Sequence, residues 1–406
     1  MSGSRKKTIF KPILVLCVFT LFIIYSVVIL ALPIQPISPT YSSVNLPVSQ
    51  LQNIAWPKNV ESAIGVYGYG LLATSGVQDP TPTASIAKII TALCILQVKP
   101  IEAGQQGPIL TLSQADVNIY NTYVSEGGSV ARVASGEKIS EYQALQAMLI
   151  PSADNMADSL AIWAFGSLQN YINYANTFTK NVGLASTTIS DASGLSPQTL
   201  STANDLITLG NLALSNPVIA QIVSQSTATV PVAGLIKNYN YLLGQLNIVG
   251  IKTGNTSQAG GTYLFAAKYS FSGNQNLTVI GAIMKAANLE TALTDAIPLL
   301  QSISNQVSLK TLIPAGTTIG SIKTVWGQST TVTTVNPITV PYLSGMRPKL
   351  NFYLNNLNIP SKNSTEIGSL TLGLGSSEYK TSASTTHTIT SPSWTWKLMH
   401  PSKVGL

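Results

Sequence analysis

The sequence predicts an α+β protein of three parts: one apolar helix long enough to cross a membrane, a layered globular domain, and a small all-β domain. Three observations predict it. Residues from Ile13 to Leu32 form a twenty-residue run without charge, enough to cross a hydrocarbon core of about 30 Å. Between about Ile54 and Leu300, strand-like, helix-like and again strand-like patterns follow one another, which suits an α+β layer fold better than βαβ repeats. Beyond Ser304 the texture changes to short Thr, Val, Gly and Pro alternations such as Thr330-Thr331-Val332-Thr333-Thr334-Val335, the pattern of a β domain.

Taken in order, the chain divides at residues 1–33, 34–53, 54–303 and 304–406. Arg5, Lys6, Lys7 and Lys11 precede the apolar run, which places the N-terminus in the cytoplasm if the run spans a membrane. A cleaved signal peptide is the alternative, although its apolar core is usually about 7–15 residues. Pro33 to Leu51 is rich in Pro, Ser and Gln and reads as an extended tether outside the membrane. Ala63 to Gly76 reads as one or two strands with a turn. Ile89 to Leu96, which follows Thr83–Lys88, is apolar and nearly free of breakers, hence a buried helix. Pro82 and Thr83 suit its start. The stretch from Leu112 to Asn216 is mostly helical in pattern, with candidates at Ile139–Leu149, Asn155–Phe165, Tyr171–Asn181 and Thr202–Leu214. Thr262–Ala267 and Leu277–Met284 read as strands, and Leu289–Leu300 as a helix. No solenoid-period repeat is present. The Asn-x-Ser/Thr triplets at Asn255, Asn276 and Asn363 read as chance matches.

Composition excludes several functions. Charged residues make up 9% of the 406 and the formal charge is +7. Four of these charges lie in the N-terminal basic cluster, and the remaining +3 or so is too scattered to bind nucleic acid. Cys17 and Cys94 fall in different compartments on this reading and form no disulfide. The two histidines are His387 and His400. The first 386 residues therefore hold neither a Ser-His-Asp triad nor a His-based zinc site, and no metal or cofactor is expected. A serine enzyme here needs another base, and lysine is the natural candidate.

Ser85 and Lys88 supply that pairing. Three residues apart at the start of a buried helix, they share a face. A neutral lysine can take the serine's proton, and the helix N-terminus favours a developing oxyanion. Spacing alone does not single the pair out, because Ser4/Lys7, Ser135/Lys138 and Ser377/Lys380 share it. Only Ser85/Lys88 opens a buried helix. Ser152 follows in a turn between two helices, within Pro151-Ser152-Ala153-Asp154-Asn155. Lys252-Thr253-Gly254 follows at a strand and occurs once in the chain. Taken singly, Ser152 reads as a helix cap, Lys252-Thr253-Gly254 as a strand end, Asp191 and Asp205 as caps, and Trp394, Trp396 and Cys94 as packing residues.

Ser-x-x-Lys, then a second serine motif, then Lys-Thr-Gly is the order found in penicillin-binding proteins and class A β-lactamases. From about residue 55 to 400 the chain resembles the D-alanyl-D-alanine carboxypeptidases of serine peptidase family S11. Asp191-Ala192-Ser193-Gly194-Leu195, Ser201 to Leu206, Gly128-Ser129 and Gly136-Glu137 resemble the family's flanking segments. Gly316 to Trp326-Gly327 and onward to Trp396 resembles its β-rich C-terminal domain. The resemblance implies the penicillin-binding fold, an antiparallel sheet with helices on both faces and a helical lobe. It implies that Ser85 attacks the carbonyl of the penultimate D-alanine, that Lys88 takes its proton, and that Ser152 relays a proton to the leaving amine. Lys252 and Thr253 would hold the terminal carboxylate, Gly254 would let the strand edge approach, and the N–H groups of Ser85 and Asn255 would form the oxyanion hole. A second ammonium at Lys252, together with burial, would disfavour the charged form of Lys88. The implied partners are peptidoglycan stem peptides, β-lactams as acylating inhibitors, and a membrane; the implied place is outside a cell membrane. The alternatives are a β-lactamase or murein endopeptidase of the same fold, or a wall-peptide-binding protein with impaired catalysis.

One position departs from the family pattern. Asp154 stands where the family usually has Asn, with Asn155 next to it. An ionised Asp only accepts hydrogen bonds, whereas Asn also donates, and a carboxylate beside Lys88 favours the ammonium form. Three outcomes are open: Asp154 is accommodated by pairing, Asn155 takes the place in the substrate site, or activity is reduced.

Overall fold

The structure, a computed structural model, describes residues 10–404. Arg5, Lys6 and Lys7 lie outside the described residues. Helix α1 (Phe10–Ala31) is 22 residues long, about 33 Å at 1.5 Å per residue. Among the described residues it is the one continuous helix long and apolar enough to cross a membrane. The segment that follows is extended but not free. Its β1 (Thr40–Tyr41) pairs with the C-terminal β domain, and Ser49, Gln52 and Ala55 hydrogen-bond to Ser344, Gln306 and Ser302. The predicted tether is therefore a strap, held because Ile37, Val44, Leu46 and Leu51 recur along it and bury against the second core.

In the globular domain β2 (Glu61–Val66) and β3 (Gly70–Ser75) form a hairpin. Next come β4 (Thr81–Pro82), a 3₁₀ turn at Ala84–Ile86, and α2 (Ala87–Val98). The helical lobe contains β5 (Ile109–Thr111), α3 (Gln114–Ser125), β6 (Lys138–Ser140), α4 (Glu141–Leu149), α5 (Asp154–Phe165) and α6 (Leu168–Asn181). It closes with β7 (Leu200–Ser201), α7 (Ala203–Ser215), α8 (Pro217–Val223) and the hairpin β8 (Thr227–Val230)–β9 (Gly234–Lys237). Ser140 opens α4 with a reciprocal cap to Gln143, and Thr202 caps α7 by accepting from Asp205 N–H. Then β10 (Ile248–Thr256), β11 (Gly260–Ser270) and β12 (Asn276–Ala286) return to the sheet, and α9 (Leu289–Ser304) follows, capped by Asn288.

The main sheet is antiparallel, in the order β10-β11-β12-β2-β3. Its side chains alternate between two cores, as a period of two requires. Ala63, Leu264, Ala266, Ile280 and Ala282 face the helical lobe, while Ile64, Tyr263, Phe265, Val279 and Ile283 face α9. Helices thus cover both faces, and β10 is left as an edge strand beside the start of α2.

The C-terminal domain is β13 (Val307–Ile313), β14 (Thr318–Lys323), β15 (Ser329–Thr334), β16 (Ile338–Leu343), β17 (Lys349–Leu354), β18 (Glu366–Leu374) and β19 (Ser377–Thr385). Strand β1 completes its six-stranded sheet. Trp394 and Trp396 lie on a short helix, α10 (Trp394–Met399), outside the β sheet.

Glu141 is fully buried in the first turn of α4, and neither carboxylate oxygen has a partner among the described residues. Burial pushes its carboxyl up to about 7, against a smaller opposing pull from Lys99. A carboxyl raised in the folded state binds its proton more tightly there than in the unfolded chain. Its contribution to stability is present below about pH 4.5 and is lost as pH rises through about 7. Glu141→Gln should therefore gain in melting temperature over the wild type as pH rises from about 5 to about 8. Calorimetry showing the same difference at both ends would reject this account.

Candidate active site

The site is built where α2, the α4–α5 turn, the 191–195 loop and the edge strand β10 converge. Ser85 lies not on α2 itself but in the 3₁₀ turn ahead of it, and Thr83 makes no side-chain cap. Thr83 is instead fixed from outside: its N–H donates to Thr199 C=O, and its C=O accepts from the Thr262 hydroxyl at 3.1 Å. Ala84 is held at φ +46°, a strained value for a residue with a Cβ. Two glycines permit this packing. A Cβ on Gly194 would fall 1.9 Å from Ala84 C=O, and one on Gly254 would fall 2.9 Å from Ser85 N.

Lys88, fully buried, uses all three of its N–H donors. It donates to Ser85 Oγ at 2.9 Å, to Asp154 Oδ1 at 2.6 Å and to Ser193 C=O at 2.8 Å. Across the cleft Lys252, also buried, donates to Ser152 Oγ at 2.9 Å and to Thr253 C=O at 3.0 Å. Burial first, and then the Lys88 charge, push the Lys252 ammonium well below the usual lysine range, with Asp154 opposing. Ser152 occupies the α4–α5 turn at φ +63°, a second strained residue at the same cleft.

Asp154 faces two donors. Oδ1 takes Lys88, and Oδ2 accepts from Ser129 N–H at 2.9 Å. Gly128 lets this loop approach, since a Cβ there would fall 2.8 Å from Asp154 Oδ2. A carboxylate satisfies both partners; an amide would present N–H to one of them. Asp154 is thus accommodated by pairing. Asn155 does not turn into the cleft. It is fully buried, and its amide both donates to and accepts from the Ala131 backbone at 3.0 Å. The expectation of a substrate contact from Asn155 gives way to a loop clamp, because one residue's step along α5 turns the side chain about 100° away. The Asn255 side chain is likewise committed, accepting from Leu289 N–H at the start of α9.

Three contributors were not among the residues that the sequence assigns to the site. Ser193 supplies a carbonyl, and Asp191 shapes its loop by accepting from Ser193 Oγ and from the Gly194 and Leu195 N–H groups. Asp158, one turn beyond Asp154, accepts from Tyr123 O–H at 2.8 Å, and burial raises its carboxyl to about 6. Cys94 is buried in the core of the lobe.

The family model for D-alanyl-D-alanine carboxypeptidase matches residues 70–288, more than half of the chain. The chain belongs to the D-alanyl-D-alanine carboxypeptidase family. It is 27% identical over 194 residues to D-alanyl-D-alanine carboxypeptidase DacC of Escherichia coli, covering 47% of this chain and 48% of DacC. It is 30% identical over 191 residues to the D-alanyl-D-alanine endopeptidase of the same organism, covering 44% of this chain and 57% of that one. The matched stretch thus spans about half the length of these relatives. Among solved structures, penicillin binding protein 5 from Haemophilus influenzae superposes with a TM-score of 0.56 at 19% identity, covering 86% of this chain and all of that one. The Streptomyces K15 DD-transpeptidase gives 0.54 at 24% identity, covering 63% and 98%. These two likenesses show the penicillin-binding fold, with the C-terminal strands included in the first.

Within this family's cleft, Asp154→Asn should destabilise the fold by about 2–4 kcal/mol, because it turns an amide N–H toward Lys88 or toward Ser129 N–H. Thermal unfolding tests it: a variant that melts with the wild type would mean that the two-donor environment of Asp154 is not what holds it.

Proposed function

We propose that the chain is a serine-type D-Ala-D-Ala carboxypeptidase, anchored in a membrane by α1 with its N-terminus cytoplasmic and its catalytic domain outside. It would remove the terminal D-alanine from peptidoglycan stem pentapeptides and be acylated by β-lactams. The observation that carries this reading is one cleft holding two hydroxyl–ammonium pairs, Ser85–Lys88 and Ser152–Lys252. Basic residues ahead of an apolar run support the anchoring.

The geometry suggests how the steps run. With all three N–H groups donated, Lys88 must release a proton before it can accept one from Ser85. Asp154 Oδ1, at 2.6 Å, is the acceptor within reach. Lys88 then takes the Ser85 proton as Ser85 Oγ bonds to the carbonyl carbon of the penultimate D-alanine. Ser152 Oγ accepts from Lys252, so Ser152 passes its own O–H proton to the leaving amine as it takes one from the Lys252 ammonium. Lys252 and Thr253 hold the terminal carboxylate, a charge that also compensates the Lys252 ammonium. The backbone N–H groups of Ser85 and Asn255 serve the oxyanion. The C–N bond breaks, D-alanine leaves, and water hydrolyses the ester on Ser85.

Intact-mass measurement after penicillin treatment, run beside D-alanine release from a model pentapeptide, tests this directly. Ser85→Ala should abolish both signals. Lys88→Ala should slow acylation about 10²–10⁴-fold, the range for loss of a general base. A penicillin adduct that survives in Ser85→Ala would refute the assignment.

A further inference from the structure

A concavity of about 550 Å³ opens beside the cleft. One wall is Pro151 with the 130–132 segment, and the other is β9 with Asn238 and Tyr239. Arg132 and Lys237 line it, both exposed, and no acidic residue does. Among the described residues neither cation forms an ion pair.

The chain fixes where this recess lies relative to the reacting groups. Gly254 abuts Ser85, so the bond to be broken lies there. Lys252 and Ser152, bonded to each other, come next and form the carboxylate cradle. Pro151, adjacent to Ser152, belongs to the recess wall. The recess thus adjoins the carboxylate cradle through the Pro151–Ser152 turn, on the side of the cleft that holds the departing residue's carboxylate in the carboxypeptidase reading.

We propose that this recess is a leaving-group subsite, built for a terminal D-amino acid whose side chain ends in a second anionic group. The proposal rests on the carboxypeptidase reading and names the substrate class of that same site. A terminal D-alanine offers only a methyl group beyond its carboxylate and leaves the recess empty. A longer side chain bearing a carboxylate reaches two cations that no carboxylate among the described residues neutralises, and opposite charge across a cleft sets preference between substrates. The chemistry is unchanged: Ser85 Oγ bonds to the acyl carbon, the C–N bond breaks, Ser152 supplies the amine's proton, and water releases the acyl group.

The test compares acyl-D-Ala-D-Ala with acyl-D-Ala-D-Glu as substrates of the full-length protein. The wild type should prefer the D-glutamate leaving group in kcat/KM. In Arg132→Gln/Lys237→Gln that preference should fall about fivefold, the scale of two exposed charge pairs, and raised salt should weaken it in the wild type. The charge-reversed Arg132→Glu/Lys237→Glu should instead favour acyl-D-Ala-D-Lys. Because the wild-type salt series needs no variant, poor folding of either would still leave a result. An unchanged preference in the variants, or an equal loss on both substrates, would overturn the subsite alone if D-alanine release is seen. A wild type that hydrolyses neither peptide and takes no penicillin would overturn the carboxypeptidase reading and this proposal with it.

Discussion

The Lys88 ammonium is the constraint around which the lobe is assembled. Burying such an ion costs several kcal/mol unless each of its donors finds an acceptor. Here the acceptors come from three separate stretches: Ser85 on the turn before α2, Asp154 at the start of α5, and the Ser193 carbonyl on a loop that Asp191 shapes. No two of these are neighbours in sequence, so satisfying one nitrogen fixes α2, α5 and the 191–195 loop together. The glycines at 194 and 254 follow from this closeness, since a Cβ at either would collide with the backbone at Ala84–Ser85.

Asp154 also sets the charge balance of the cleft. It cancels Lys88, so Lys252 remains as the uncompensated inner cation, buried and pushed toward its neutral form. An anion entering the cleft relieves that, because its charge favours the Lys252 ammonium as the ammonium favours it. Arg132 and Lys237 line the neighbouring recess, where both are exposed. The scattered charge of the sequence thus hides a local order: a neutral ion pair under the nucleophile, a depressed cation beside it and two solvated cations in the recess.

Some of this was legible from the residues and some was not, for identifiable reasons. The Ser85/Lys88 spacing could be read because a helical turn joins residues three apart, and the strand alternation because sheet faces repeat every two. The Ser193 carbonyl and the Ser129 N–H could not, because backbone groups are the same at every position and only the fold aims them. The choice between Asp154 and Asn155 stays open in the sequence, since two polar neighbours at a helix start give no indication of which faces the cleft. The strap was read as a tether from its Pro and Ser content, while its sparse apolar residues do the docking. Trp394 and Trp396 were assigned to the β tail, although a short helix capped by Ser393 carries them.

That helix bears on how the site is held. Lys397 on α10 donates to Leu30 and Leu32 carbonyls at the end of α1, and Tyr25 O–H donates to Leu398 C=O at 2.7 Å. A cation at a helix C-terminus meets both the unpaired carbonyls and the negative end of the dipole. Trp396 in turn stacks on His400 and meets Trp326 edge-on, which joins α10 to the β domain. The strap runs back along the same domain, through Ile37 paired with Leu357 and β1 with β14. The apolar helix is therefore gripped at its end by the β domain rather than joined to it by a loose chain. If α1 lies in a membrane, the orientation of the cleft above that surface is set by packing against the β domain and not by the reach of a flexible linker.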